Sequence, residues 1–358
     1  MEAMKQLIIT SLSVLLLASA SVAYTTASKH LDHPDDWYRG EEAKRMAASV
    51  LSYQSPRGAW PKNIDTATQP YTGARENLDG TFDNGATTFE LRFLARMATA
   101  NPDEAAYKQA FQKGLDHILE AQYANGGWPQ YYPPGDGYNR YITFNDGAMA
   151  RLMFFVRDVA RDDKIFGFVD SARRAKCKAA WDKGVDCILK CQVKDADGKP
   201  TVWCAQHDEK DFSPKPARTF EPVALSGSES IGLVHVLMSV EKPSPEVIAA
   251  VDGVKEYFEK TKITGIKVED RKQEGTPRGY DRFVVEDASA PPMWARFYEM
   301  GTNKPVFADR DGVVKYKLSD IGIERRTGYK WLGTWPKNFL EQEYPEWKAA
   351  VAAGKAWR

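Results

Sequence analysis

The sequence predicts an all-α chain, an α/α toroid-like stack of helical hairpin repeats with an open groove at one end and an irregular C-terminal segment. Three observations carry this expectation. A motif recurs at a near-constant interval, an apolar helical pattern leads into it, and a polar cluster opening a second apolar helix follows it. Gln54–Pro61 reads Q-S-P-R-G-A-W-P and Gln122–Pro129 reads Q-Y-A-N-G-G-W-P; a looser copy starts at Gln192 and reaches Trp203 through an insertion.

Taken in chain order, residues 1–23 precede the fold. Lys5, an apolar run from Leu7 to Ala18 and the small residues Ser19–Ala23 have the order of a cleaved secretory signal, with cleavage expected after Ala20 or Ala23. The run is short and Ser-interrupted for a membrane span. Residues 24–358 are then one soluble domain, secreted or periplasmic. The helix Gly114–Gln122 aligns with Gly184–Gln192, and Gly253–Thr261 is a fainter relative. After the loops, Thr81–Thr87 precedes the helix Phe89–Met97, and Thr143–Met149 precedes Arg151–Arg157. Leu225–Ser230 likewise precedes Ile231–Met238, and Glu286–Pro292 precedes a helix Met293–Tyr298. Such polar clusters cap helices and gather at one rim. The tail from Lys304 to Arg358 is expected to wrap the helices.

The 358 residues are 43% hydrophobic, enough for a sizeable core. Lys+Arg and Asp+Glu both number 49, which excludes nucleic-acid binding by bulk charge. A polyanion could still meet a local patch: Lys262–Lys337 holds 15 Lys/Arg against 11 Asp/Glu. Near-zero net charge gives no reason to expect an oligomer, so a monomer is expected. Cys177, Cys187, Cys191 and Cys204 lie in one segment of an exported chain. One or two local disulfides are the expectation there, with free buried thiols the alternative.

Candidate chemistry sits at the rim. Asp83-Asn84 and Asn145-Asp146 occupy matched positions in two repeats and are either N-caps or hard-oxygen ligands for a cation such as calcium. Arg218, Arg296 and Arg310 could grip carboxylates with their forked guanidinium groups. Trp60, Trp128 and Trp203 read as staples of the repeat, while Tyr131, Tyr132, Tyr138 and Tyr141 could stack on sugars. Among the histidines, His117 and His235 fall on apolar helices, and His207 is the one candidate site residue. No nucleophile elbow, phosphate loop or zinc motif is present.

These motifs resemble the family 10 polysaccharide lyases, which are pectate lyases. The resemblance runs from about Ala47 to Trp347. It rests on Gly58–Asn63, Thr81–Thr87, Asn125–Gln130, Thr143–Ala148, Trp203–Asp208, Pro216–Glu221 and Trp294–Glu299. The cysteine-rich segment and the insertion before Trp203 fall outside that pattern. The resemblance implies a mostly helical catalytic domain with a wide groove, which uses calcium to cleave polygalacturonate by β-elimination. It assigns Arg218 as the base, Asp83 and Asp146 to the calcium-dependent centre, and Asn84, Arg296 and Arg310 to the uronate. Two other classes remain open from the residues themselves: a uronide hydrolase using Asp83 and Asp146 as acid and base, and a non-catalytic uronide-binding protein.

Overall fold

The computed structural model describes residues 26–161 and 164–357. The expected signal segment lies outside the described residues. Among them, no helix is long and apolar enough to cross a membrane. Seven principal helices carry the N-terminal part: α1 (Glu41–Ser52), α2 (Thr88–Ala100), α3 (Ala105–Ala121), α4 (Ala148–Ala160), α5 (Ser171–Cys191), α6 (Glu229–Met238) and α7 (Pro245–Lys260). They pack as hairpins α2–α3, α4–α5 and α6–α7. Helices α2, α4 and α6 lie side by side in one layer, and α1, α3, α5 and α7 in the other. Amphipathic helices gain stability chiefly by burying their apolar stripe against a neighbour. Leu91, Leu94 and Met97 of α2, and Leu152, Met153 and Val156 of α4, are fully buried between the layers.

The repeated motif is a fastening device. Gln54 Nε2 donates to the carbonyls of Gly58 (3.1 Å) and Ala110 (2.8 Å). Gln122 does the same to Gly126 (3.0 Å) and Ala180 (2.9 Å), and Gln192 to Thr201 (2.8 Å) and Ala250 (3.0 Å). Each glutamine therefore ties its own loop to the next outer helix. Each tryptophan buries its ring and returns its indole N–H to the preceding helix: Trp60 to Val50, Trp128 to Ile118, Trp203 to Ile188 and Trp294 to Phe258. The motif glycines Gly58 and Gly126 have φ of +101° and +94°, and a Cβ there would sit 2.6 Å and 2.0 Å from the carbonyls of Lys113 and Lys183. Both conformation and space demand glycine.

The all-α expectation is wrong. Eleven short strands pair antiparallel among the described residues: β1 (Ile142–Thr143), β2 (Gln206–His207), β3 (Pro214–Lys215), β4 (Leu225–Ser226), β5 (Ile266–Lys272), β6 (Tyr280–Glu286), β7 (Trp294–Ala295), β8 (Phe297–Tyr298), β9 (Phe307–Ala308), β10 (Val314–Lys315) and β11 (Leu332–Gly333). The longest pair, β5–β6, is a ribbon of seven-residue strands. Two further helices, α8 (Ile323–Gly328) and α9 (Tyr344–Ala352), belong to the tail. The expected helix Met293–Tyr298 is instead β7 and β8, paired to β11 and β4. Trp294, Ala295, Phe297 and Tyr298 are all buried, so the run is covered on both sides, as a central strand is and an amphipathic helix is not.

The disulfide expectation is corrected as well. All four cysteines are free and buried. Cys187 and Cys191 lie on successive turns of α5, close enough to hydrogen-bond. Burial pushes the Cys177 and Cys204 thiols up to about 12, which leaves them unreactive near neutrality.

Candidate active site

Asp83–Gly85 and Asn145–Gly147 each form a single 3-10 turn just before α2 and α4, and the two turns touch. Neither Asp83 nor Asn145 caps the helix that follows. The N-cap residues are Thr87 and Gly147. The rim side chains are thus released from the structural duty that acidic caps usually perform. In both turns the central residue is left-handed, Asn84 at φ 52° and Asp146 at φ 48°. Asn and Asp tolerate this region better than other side chains. The repeat therefore matches Asn84 with Asp146 as the half-buried pair, and Asp83 with Asn145 as the buried pair beneath.

Each turn is braced by a strand or loop. Phe144 and Asn145 both donate their backbone N–H to Ala205 O at 2.9 Å, and β1 pairs with β2 alongside. His207, on β2, is fully buried. Cys204 N donates to its Nε2 (3.1 Å), and its Nδ1 meets Phe212 O (2.8 Å). With both nitrogens committed and no exposed surface, His207 cannot take a substrate hydrogen bond, which corrects that expectation; it holds the loop that supports Asn145 and Asp146.

Three of the expected residues, Asp146, Arg296 and Arg218, gather around Tyr329. Arg296 Nη2 donates to Asp146 Oδ1 at 2.9 Å and forms a second ion pair with Glu229, which is itself bonded by Ser226 Oγ. Burial raises the Glu229 pKa, against the attraction of Arg296. Burial also works against the Arg296 charge, but Glu229, Tyr329 and Asp146 outweigh it and hold the guanidinium above its ordinary value. Arg296 lies 4.4 Å from the centre of the Tyr329 ring, and Arg218 lies 5.9 Å from the same ring. Arg218 makes a two-pronged bond to Glu221, at 2.8 and 2.6 Å. Tyr329 donates its hydroxyl to the same carboxylate at 2.8 Å. Glu221 raises the Arg218 pKa, more than burial lowers it.

Asp83 and Arg310 stand at the two ends of this row. Asp83 is buried, accepts from Asn84 N (2.9 Å) and pairs with Lys62 at 2.5 Å. Asn84 Nδ2 donates to Asn63 Oδ1 at 2.9 Å. Arg310 lies 5.8 Å from the Phe220 ring, over which Arg218 also sits at 4.7 Å, and pairs with Glu324. The result is an alternating row of cations and carboxylates along one rim: Lys62–Asp83, Asp146–Arg296–Glu229, Glu221–Arg218, Glu324–Arg310. Such a row can bind a chain of carboxylates while keeping each guanidinium charged.

Sequence reading missed Lys62, Glu221, Glu229 and Tyr329. Lys62 follows the first Trp-Pro pair, Glu221 ends the Arg218 motif, and Glu229 sits in a cluster read only as a cap. Tyr329 lies in the tail and carries no sequence signal.

The rim oxygens of Asp83, Asn84, Asn145 and Asp146 are of the hard kind that calcium takes. Among the described residues, however, no three His, Cys, Asp or Glu side chains are gathered as a metal site. The chemistry of the donors fits calcium, while their number falls short of the roughly six to eight oxygens it takes. Water and ligand oxygens have to complete such a shell.

Two buried imidazoles give the fold a pH dependence. Burial lowers His117 and His207 to about 4, from 6.5. Each ring stays neutral in the fold while the unfolded chain takes up a proton, so stability falls as pH drops from 6.5 towards 4. The loss is up to about 3 kcal/mol per ring. The drop in Tm across that window should be smaller in His207→Gln than in the native protein. An equal drop in both would contradict the assignment.

The chain matches the family model described as pectic acid lyase over residues 54–340. It is similar to the family 10 polysaccharide lyase from Cellvibrio cellulosa, at 33% identity and a TM-score of 0.77 over 91% of this chain and 98% of that one. It is also similar to a mutant of that lyase in complex with trigalacturonic acid, at 34% identity and a TM-score of 0.76, covering 87% and 97% of the two chains. A search of curated proteins gave no match.

Proposed function

The chain belongs to the pectic acid lyase family and is a pectate lyase, and from that premise we propose that it cleaves polygalacturonate by calcium-dependent β-elimination at the rim beside Asp146 and Arg218. The observation that carries this is the meeting of Asp146, Arg296 and Arg218 around Tyr329. A uronate presents a carboxylate on C5. The C5 proton is weakly acidic, and its removal puts charge on that carboxylate. Positive groups already in place stabilise the charge without reorganising.

In this proposal Asp146 and Asp83, with the amide oxygen of Asn145, would hold calcium, which when bound neutralises the uronate carboxylate as a Lewis acid. Arg296 presents little surface and acts mainly by fixing Asp146. Arg310 and Asn84, at the two ends of the row, hold neighbouring uronates. Arg218 takes the C5 proton. The electrons of the C5–H bond become the C4=C5 double bond, and the C4–O bond breaks, its oxygen taking a proton from solvent. A guanidinium must first lose its proton to act this way. The bond to Glu221 opposes that loss, and the positive charge of Arg310 favours it. A small neutral fraction suffices, because so strong a base is reactive when present. No water-activating carboxylate pair is needed, in contrast to glycoside hydrolysis. Asp83 is buried on Lys62, which suits holding a charge rather than shuttling a proton.

The test is to incubate the protein with polygalacturonate and follow the ultraviolet absorbance of the unsaturated product with and without a chelator. Absorbance that grows and is abolished by chelation is expected. Reducing ends without new absorbance would mean hydrolysis instead. Asp146→Ala should raise the calcium concentration for half-maximal rate by about tenfold or more. An unchanged calcium titration would remove Asp146 from the metal.

A further inference from the structure

A cavity lies beyond Lys62, at the Asp83 end of the row. It has a volume of about 300 Å³ and is lined by Arg57, Glu76, Asp79, His117, Tyr131 and Tyr132, among others. Tyr131 joins it to the site already described. The Lys62 ammonium sits 5.7 Å from the centre of the Tyr131 ring and pairs with Asp83 on its other side. The backbone agrees, since Tyr131 bridges to Thr81, two residues before Asp83.

The walls of the cavity are chemically distinct from the row of arginines. Two tyrosines offer flat ring faces. His117 is 96% buried within the wall, in edge contact with Tyr132 at 5.7 Å, and its Nε2 has no hydrogen-bond partner. Burial keeps the ring neutral near pH 7. A buried nitrogen without a partner costs stability unless a ligand or solvent supplies one. The charges on the lining are Arg57, Glu76 and Asp79, all exposed, with Glu120 beyond Tyr132, bonded by its hydroxyl at 3.2 Å. Among the described residues, no side-chain hydrogen bond or ion pair engages Arg57, Glu76 or Asp79. The lining is therefore net negative and rich in acceptors. Glu76 and Asp79 outnumber Arg57 there, so a free uronate gains less than an uncharged sugar, which offers hydroxyls to the acceptors and a ring face to the tyrosines. Aromatic walls with a few placed polar groups are the usual make-up of a small-molecule pocket, and the volume has room for one pyranose ring.

We propose that this cavity is a distal subsite for one uncharged sugar ring of the substrate chain, a methyl-esterified galacturonate residue, and that it tunes the enzyme toward partly esterified pectin. The inference rests on the lyase reading, because the sugar enters as the continuation of a chain whose cleaved bond lies beside Asp146. Esterification removes the charge that Glu76 and Asp79 repel and keeps the hydroxyls that the acceptors bind.

The experiment compares kcat/KM, read as ultraviolet absorbance of product, on fully de-esterified polygalacturonate and on a partly methyl-esterified one. In Glu76→Gln/Asp79→Asn, the rate on the de-esterified polymer should rise by about fivefold, the size expected for removing a solvent-exposed like-charge contact, with little change on the esterified one. In Tyr132→Ala, kcat/KM on the esterified polymer should fall by about fivefold through KM, and kcat should hold. Should Tyr132→Ala fail to fold, the exposed carboxamide pair still decides the matter. Parallel changes on both polymers, or a preference ratio equal to the native one, would overturn the subsite. Failure of the lyase reading looks different: no new absorbance from either polymer with the native protein.

Discussion

Replacing Arg218 by alanine should cut kcat by about 10³-fold or more while polygalacturonate binding stays within a few-fold of native. A positioned general base contributes roughly 10² to 10⁴ and a fixed electrostatic donor a comparable factor, and Arg218 is assigned both. Binding survives because Arg310 and the Asp83–Asn84 end of the row are untouched. A near-native rate would take Arg218 out of the reaction. Glu221→Gln separates the base from a mere charge. That change removes the carboxylate that most raises the Arg218 pKa, while keeping shape and one acceptor oxygen. If Arg218 takes the proton, its neutral fraction grows and the alkaline-favoured limb of the pH–rate profile moves to lower pH. If Arg218 only stabilises charge, kcat falls with no such move.

Arg296→Ala should cost both fold and function. Its guanidinium is the shared partner of Asp146 and of the fully buried Glu229. Removing one member of a buried ion pair leaves a charge without compensation and typically costs about 3–5 kcal/mol. A lowered Tm and loss of lyase activity are therefore expected together. The double variant Arg296→Ala/Glu229→Gln removes the stranded charge and should recover much of the Tm. It should not recover the rate, because Asp146 still lacks its anchor. Recovery of both would mean that Arg296 serves the fold alone.

The helical half of the fold was legible because its signals are local. A glutamine four residues before a glycine, with a tryptophan two further on, repeats as a unit, and each member does the same job in each copy. The strand-rich part was not legible. Trp294–Tyr298 is too short to distinguish a buried strand from a helix turn by periodicity. Its true partners, Leu225–Ser226 and Leu332–Gly333, are remote in sequence. The ribbon Ile266–Lys272 with Tyr280–Glu286 is mostly charged and gives no apolar alternation to read.

At the site, Asp83, Asn84, Asp146, Arg296, Arg218 and Arg310 were all nameable from motifs, and the structure arranges them along one rim. The sequence could not tell which of each Asp/Asn pair is buried. That depends on the left-handed turn at Asn84 and Asp146. His207 misled because a polar residue in a polar motif looks exposed, whereas both its nitrogens serve the backbone. Tyr329, around which the arginines collect, is set by tertiary packing of the tail.

In the proposed reaction Arg218 and Asp146 serve one galacturonate ring, the base at its C5 hydrogen and the metal ligand at its carboxylate. A crystal structure of the Arg218→Ala protein with calcium and trigalacturonic acid tests it directly. The expected result is a uronate whose carboxylate meets the metal at Asp146 and whose C5 hydrogen points into the space left beside Phe220 and Tyr329. A trisaccharide bound with every carboxylate away from Asp146, or with C5 turned from that space, would contradict it.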